Sequence, residues 1–152
     1  MAIDKKHVGN KYGPTTYVVG AEKLREFAYA ISGGVPSMGF TGTGAPTGLL
    51  PQLWQGKEIV GFPSFCNVFA IAPFGQAVTD PKLGINLLML VHGEQEYEFF
   101  EPIRPGDTIT STGEITDIFE KQGKDFVTVV TESKNQDGKL VVRGRWLAVI
   151  RQ

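Results

Sequence analysis

Residues 64–72, SFCNVFAIA, decide how this chain folds, because wound as a helix they are apolar on nearly every side. Pro63 ahead of them suits a first helical turn, and Phe65, Val68, Phe69 and Ala72 recur at helical spacing. A helix with so little polar surface must be wrapped by protein. Downstream, the period changes to that of strands, read over residues 91–101, 108–118, 126–133 and 140–150. Pro105-Gly106-Asp107, Gln122-Gly123 and Asp137-Gly138 separate them as turn signals. Four such strands joined by short turns predict an antiparallel meander. Upstream, residues 15–19 (TTYVV) suit a short strand after the Gly13-Pro14 turn signal. In Ala21–Ile31, Leu24, Phe27, Ala28 and Ile31 form one apolar helical stripe, with Gly33 placed to stop it. Residues 33–62 are dense in glycine and proline and read as a long covering loop. Helices and strands do not alternate as βαβ units. The class is therefore α+β: a curved antiparallel sheet around one buried helix, the hot-dog fold.

The bulk numbers agree with one soluble domain spanning 1–152. With 41% hydrophobic and 20% charged residues and a formal charge of −1, the chain offers no field to gather polyanions, so nucleic acid is not an expected partner. Cys66 is the single cysteine, which leaves no disulfide framework, no CxxC pair and no metal-ligand spacing, and fits a reducing cytoplasm. The start, MAIDKKHVGN, turns polar at once, and no segment approaches the roughly 20 apolar residues of a spanning helix; export and membrane insertion are not expected. No GxSxG elbow, P-loop or GxGxxG is present. GFTGTGAPTG (39–48) has glycines but neither a lysine nor a preceding strand, so no cofactor is expected.

Residues 90–107, LVHGEQEYEFFEPIRPGD, place a histidine and several glutamates close together. On an unbroken strand His92, Glu94, Glu96 and Glu98 would share one face, and Val91, Gly93, Gln95, Tyr97 and Phe99 the other. Like charges at every second position cannot all be buried without large desolvation costs, so the acidic face should meet water, an edge or a basic partner. Gly93 is expected on the core side, letting the helix approach. His92 is open to two readings, a structural hydrogen-bonding role or a place in the lining of a ligand cleft.

These residues together carry a family resemblance. AEKLREFAYAI, then GFPSF before an apolar helix, then VHGEQEYEFFEPIRPGD, then NQDGKLVVRGRW resemble the MaoC-like hydratases and dehydratases, in particular their N-terminal, FAS1-like dehydratase type. The likeness runs over residues 12–150. It implies a hot-dog fold acting on acyl thioesters of CoA or acyl carrier protein, adding or removing water across C2 and C3 with R stereochemistry. Such chemistry needs a base at C2, an acid at the C3 oxygen and donors to the thioester oxygen. Catalytic members resembled here supply the first two from Gly-Asp-x-Asn-Pro-x-His just after the first helix. Aligned on its proline, residues 32–38 read SGGVPSM, so the Asp position is Gly33 and the His position Met38. Neither exchanges a proton.

Other groups offer weak substitutes. His7 lies in a polar N-terminal segment expected to be mobile. His92 and Glu94, about 6 to 7 Å apart along a strand, exceed direct hydrogen-bond reach. Asp80 reads as a turn residue and Cys66 as packing. Phe65 and Phe69 read first as core, while Phe62, Phe65 and Phe74 with His92 are candidates to line an acyl channel. Lys57, Lys82, Arg104, Lys121 and Lys124 are scattered and form no phosphate cluster. In the last strand Leu140, Val142, Trp146, Ala148 and Ile150 make one apolar face, and Val141, Leu147 and Val149 make the other partly apolar, so a second cover is expected. The leading expectation is a subunit of an (R)-specific enoyl-thioester hydratase or 3-hydroxyacyl-thioester dehydratase that shapes the acyl tunnel while a second MaoC-like chain supplies Asp and His. The rivals are a self-sufficient homodimeric hydratase with an atypical site, a non-enzymatic acyl-thioester-binding module and, lower, a thioesterase.

Overall fold

The computed structural model describes residues 2–31 and 60–151, so residues 32–59, which hold most of the covering loop with Gly33, Met38 and Lys57, lie outside the described residues. Elements run in the order β1 (Lys11–Val18), α1 (Ala21–Ile31), α2 (Asn67–Val78), β2 (Leu90–Phe99), β3 (Thr108–Lys121), β4 (Lys124–Lys134) and β5 (Leu140–Arg151). Among the described residues the strands form one antiparallel sheet in the order β1-β3-β4-β5-β2. It is the expected hot-dog arrangement, a curved sheet with one central helix.

A 3-10 turn, Pro63–Cys66, leads into α2, which carries Pro73 in its interior. Along α2 and its leading turn, Phe65, Phe69, Ala70, Phe74 and Ala77 are buried. Opposite them, β3 buries Ile109, Ser111, Gly113 and Ile115, β4 buries Val127, Val129, Thr131 and Ser133, and β5 buries Val142, Gly144, Trp146, Ala148 and Ile150. This is the period-2 pattern of a strand with one face on a core. Among the described residues the wrap expected around the helix is incomplete, since Val68 and Ile71 on its outer side are 37% and 43% exposed.

Gly113 is the glycine that lets helix and sheet meet. A Cβ there would stand 2.8 Å from Cβ of Pro73. The expectation for Gly93 is corrected accordingly: its missing side chain makes room for Val149 and Leu147, at 2.7 Å and 3.7 Å, and not for the helix.

β3, β4 and β5 form the predicted meander, but β2 does not precede β3 in it. It crosses to the far margin and pairs with β5. Pro105-Gly106-Asp107 therefore does not close a hairpin. Gly106 at φ +88 donates to the carbonyl of Val19, the Asp107 carbonyl accepts from Val19 N–H, and buried Ile103 fastens the connection to Gly61. The Asp107 carboxylate in turn accepts from Arg104 N–H at 2.7 Å. At Gln122-Gly123 both residues take positive φ, as a two-residue hairpin requires.

The N-terminal segment is also ordered by contacts, contrary to the mobility expected of it. Asp4 caps the turn Lys5–His7, His7 is buried beside Asn10, and Gly9 and Asn10 bond to Ile115 on β3.

Two substitutions on the helix–sheet seam separate fit from propensity. Gly113→Val should lower the urea midpoint by the equivalent of about 1–3 kcal/mol, because the new methyls overlap Pro73. Gly75→Ala, where an added Cβ meets nothing within 4 Å, should be neutral or stabilise by about 0.5–1 kcal/mol. Equal effects at the two positions would contradict this packing.

Candidate functional site

The feature that shapes the site is an irregularity in β2. Its register against β5 shifts between His92 and Glu94, so Gly93 is an extra residue. Val91 pairs with Val149 and His92 with Ala148 before it; Glu94 pairs with Leu147 and Gln95 with Trp146 after it. The bulge corrects the expected face assignment. His92 joins Gln95, Tyr97 and Phe99 on the helix side, whereas Val91 joins Glu94, Glu96 and Glu98 outside.

On the helix side His92 completes an aromatic group. Its ring lies 5.6 Å from Trp146 and 5.5 Å from Phe74, and Phe74 and Trp146 stack at 5.3 Å and 17°. Tyr97 meets Trp146 edge-on at 5.5 Å, and Phe99 lies 5.9 Å from Tyr97. Trp146 and Phe74 are buried, Tyr97 half-buried, and His92 and Phe99 exposed. The group thus runs from the core to the edge of the sheet.

A polar cluster sits beside it. Asn67, the first residue of α2, accepts at Oδ1 from Tyr97 Oη and from Gln95 Nε2, each at 2.8 Å, and donates to the carbonyl of Ser64 at 3.2 Å. The buried indole of Trp146 donates to Thr131 Oγ1 at 2.9 Å. Gly144 preserves that contact, since a Cβ would come within 2.7 Å of the indole nitrogen and 3.0 Å of the Tyr97 ring. An apolar floor with a few fixed polar groups at its margin is the composition of a ligand cleft.

The phenol of Tyr97 is pushed up from its ordinary value, first by burial and then by neighbouring Cys66. Burial likewise pushes the Cys66 thiol up to about 11. It is a packed, protonated thiol, as read from sequence.

The predicted site residues separate. Phe74 and His92 come together. Phe65 is fully buried in a second aromatic group, 5.4 Å from Phe27 and 6.3 Å from Tyr17, and Phe62 is half-buried ahead of the Pro63–Cys66 turn. Glu94 lies across the sheet from His92, 3.6 Å from Arg145, so the two do not form a proton-transfer pair. Asp80 caps the turn Pro81–Leu83 and accepts from Tyr12 at 3.0 Å. Among the described residues no group of three His, Cys, Asp or Glu could hold a metal. Trp146, Tyr97, Gln95 and Asn67 were not singled out as site residues. Their signals were an apolar-face tryptophan, one strand parity shared by Gln95 and Tyr97, and an amide at the start of an apolar helix.

Residues 58–143 match the family model described as FAS1-like, dehydratase domain region. The chain belongs to that family. A "UPF0336 protein" of Streptomyces avermitilis is 36% identical over 143 residues, covering 93% of this chain and 91% of the relative. Two solved structures share the hot-dog fold. The crystal structure of the C-terminally truncated HadBC (3R-hydroxyacyl-ACP dehydratase) complex of Mycobacterium tuberculosis aligns with a TM-score of 0.70 at 21% identity, covering 98% of this chain and 99% of that one. A protein described as "MaoC-like dehydratase" aligns at 0.73 and 22% identity, covering 96% of this chain and 42% of that chain. This FAS1-like dehydratase domain thus has the hot-dog fold. No helix among the described residues is long and apolar enough to cross a membrane.

Because the Cys66 thiol ionises less readily folded than unfolded, its contribution to stability is present below its ordinary value of 9.0 and is lost as pH rises toward about 11. Tyr97 acts in the same direction from 10.0 upward. The urea midpoint should therefore begin to fall near pH 9, and Cys66→Ala should delay the fall to above pH 10. An unchanged onset in the variant would show that burial of the thiol does not govern it.

Proposed function

We propose that this chain is a subunit of an (R)-specific enoyl-thioester hydratase or 3-hydroxyacyl-thioester dehydratase, one that holds the acyl group while a second MaoC-like chain supplies the Asp and His. The observation that carries the reading is the pairing of an aromatic group that runs from the core to the sheet edge with the missing acid/base couple. The floor of Phe74, Trp146 and Tyr97 reaches His92 at the sheet edge, yet among the described residues no carboxylate stands with that imidazole on the helix side. Gly33 and Met38 occupy the positions where the family resembled has its couple.

In this reading the acyl chain lies on the rings of Phe74 and His92, with Phe62 near the entrance, and Phe65 supports the floor from the core. Apolar contact removes tail surface from water, while the Asn67, Gln95 and Tyr97 hydrogen bonds fix one edge of the cleft. Binding and orientation are this chain's share, and proton transfer is the partner's. Loss of a general acid or base lowers rate by roughly 10²–10⁴-fold, so a chain with neither has little turnover of its own. The thioester is carried by CoA or acyl carrier protein, the whole chain forms the domain, and the setting is the cytoplasm. The likeness to the HadBC dehydratase complex supports a dehydratase complex as the context.

The test is hydration of a short enoyl-CoA, followed by loss of the conjugated thioester absorbance. The chain alone should run near background, and addition of a MaoC-like chain carrying both Asp and His should raise the rate by about 10²-fold or more. Robust turnover by the chain alone, abolished by His92→Ala, would replace this reading with the self-sufficient hydratase. Saturable acyl-CoA binding with no turnover in either setting would leave a binding module. Within the active complex, Phe74→Ala should raise KM severalfold with a smaller change in kcat, as removal of uniform binding does. A fall in kcat with KM unchanged would contradict the assignment of Phe74 as wall.

A further inference from the structure

Four polar side chains form a line where the N-terminal segment meets the C-terminal end of α2. His7 is 8% exposed, and its Nδ1 lies 3.2 Å from Asn10 Nδ2. Burial pushes the Tyr12 phenol up and the Asn10 side chain opposes that shift, so the end of the amide turned toward Tyr12 is its N–H. Tyr12 Oη lies 3.0 Å from Asp80 Oδ2, and Asp80 Oδ1 accepts from Lys82 N–H at 2.9 Å. Backbone bonds run alongside. Gly9 N–H donates to the Ile115 carbonyl at 2.8 Å, Ile115 N–H to the Asn10 carbonyl at 3.0 Å, and Gly13 N–H to Gln76 Oε1 at 2.7 Å.

The direction of the side-chain bonds is fixed from one end. The Lys82 N–H, ahead of its other partners, holds the Asp80 carboxyl below the ordinary carboxylate range, and an ionised carboxylate only accepts. Tyr12 therefore gives its single proton to Asp80 and accepts from the Asn10 amide. The same N–H end of Asn10 faces His7, so Nδ1 is an unprotonated acceptor. A charged imidazole donates from both nitrogens, and Nδ1 would then meet another donor. Turning the Asn10 amide over would serve His7, but it would set the amide oxygen against Tyr12 Oη, whose proton is committed to Asp80.

We infer that this line is a proton-controlled latch: with His7 neutral it fastens residues 4–10 to β1, β3 and the end of α2, and protonation of His7 releases them. The latch does not depend on the subunit reading above. Histidine is the side chain that changes charge at about pH 5–8, so the latch holds at the upper end of that range and opens as pH falls. The charged or titratable groups about His7 are Asp4, Lys5 and Lys6 of its own turn, Lys11 and Tyr12 of β1, Glu114 and Asp117 on either side of Ile115 in β3, and Asp80 and Lys82 past α2. Carboxylates attract a charged imidazole, yet those here are engaged or wet. Asp4 pairs with Lys6 at 2.9 Å, Glu114 stands opposite Lys11 in the ladder, both Asp80 oxygens carry donors, and Asp117 is exposed. Loss of a bond at a buried imidazole outweighs attraction to exposed, salt-screened carboxylates.

Backbone hydrogen exchange of the full chain at about pH 7.5 and about pH 5.5, corrected for the intrinsic effect of pH, tests the latch. At the lower pH the Gly9, Asn10 and Ile115 amides should lose protection on the order of tenfold, while amides paired between β4 and β5 keep theirs. His7→Gln cannot take up a proton and should show the same protection at both pH values. Tyr12→Phe frees the Asn10 amide to turn its oxygen toward a charged His7, so its protection, whatever its level, should change much less between the two. Circular dichroism at each pH checks that every variant is folded. Equal protection of the wild type at both pH values, or the same loss in His7→Gln, would overturn the latch. An undiminished response in Tyr12→Phe would overturn the fixed bond direction on which it rests.

Discussion

The close seating of α2 on the sheet is the constraint from which the rest follows. Pro73 reaches the backbone of β3 only because Gly113 has no side chain, and that contact sets the depth at which Phe65, Phe69 and Phe74 enter the core. Each such phenylalanine stabilises by roughly 1.5–3 kcal/mol when buried. Phe74 then stacks on Trp146, whose indole is fixed by Thr131 and given room by Gly144. A packed helix thereby anchors an aromatic group that continues through His92 to the exposed margin of the sheet.

How that group reaches the margin depends on one residue of extra length. Without the bulge at Gly93, His92 would stand outside with the glutamates, and the helix side of β2 would begin with Val91. With it, the imidazole extends the Phe74–Trp146 stack, and the three glutamates keep a continuous outer row. The two faces of β2 thus divide the labour. Rings and amides on one side suit a ligand, and charges stand on the other.

Much of the architecture was legible in the sequence, and the failures have physical causes. The all-round apolar run announced a wrapped helix, the stripe of Ala21–Ile31 announced α1, and strand parity placed Glu94, Glu96 and Glu98 outside and Tyr97 inside. Parity failed at His92 because a bulge resets the alternation, and a glycine marks the place without stating that it is one. Local turn chemistry also read Pro105-Gly106-Asp107 as a hairpin, although Val19, remote in sequence, holds it as a crossover. The burial of His7 was hidden for the same reason, since its segment is held through Gly9 and Asn10 to Ile115 on β3, about a hundred residues away in the chain. The cleft was half visible: Phe74 and His92 stood out as candidates, but their meeting with Trp146 depends on register between strands far apart in sequence.

The central claim is that this polypeptide supplies a binding wall and another supplies the proton-handling groups. A crystal structure of the co-purified complex with a non-reactive acyl-thioester analogue tests it directly. The account predicts an acyl chain against Phe74 and His92 of this chain, with the carboxylate and imidazole nearest C2 and C3 coming from the other. A carboxylate and an imidazole of this chain converging on those two carbons would contradict it.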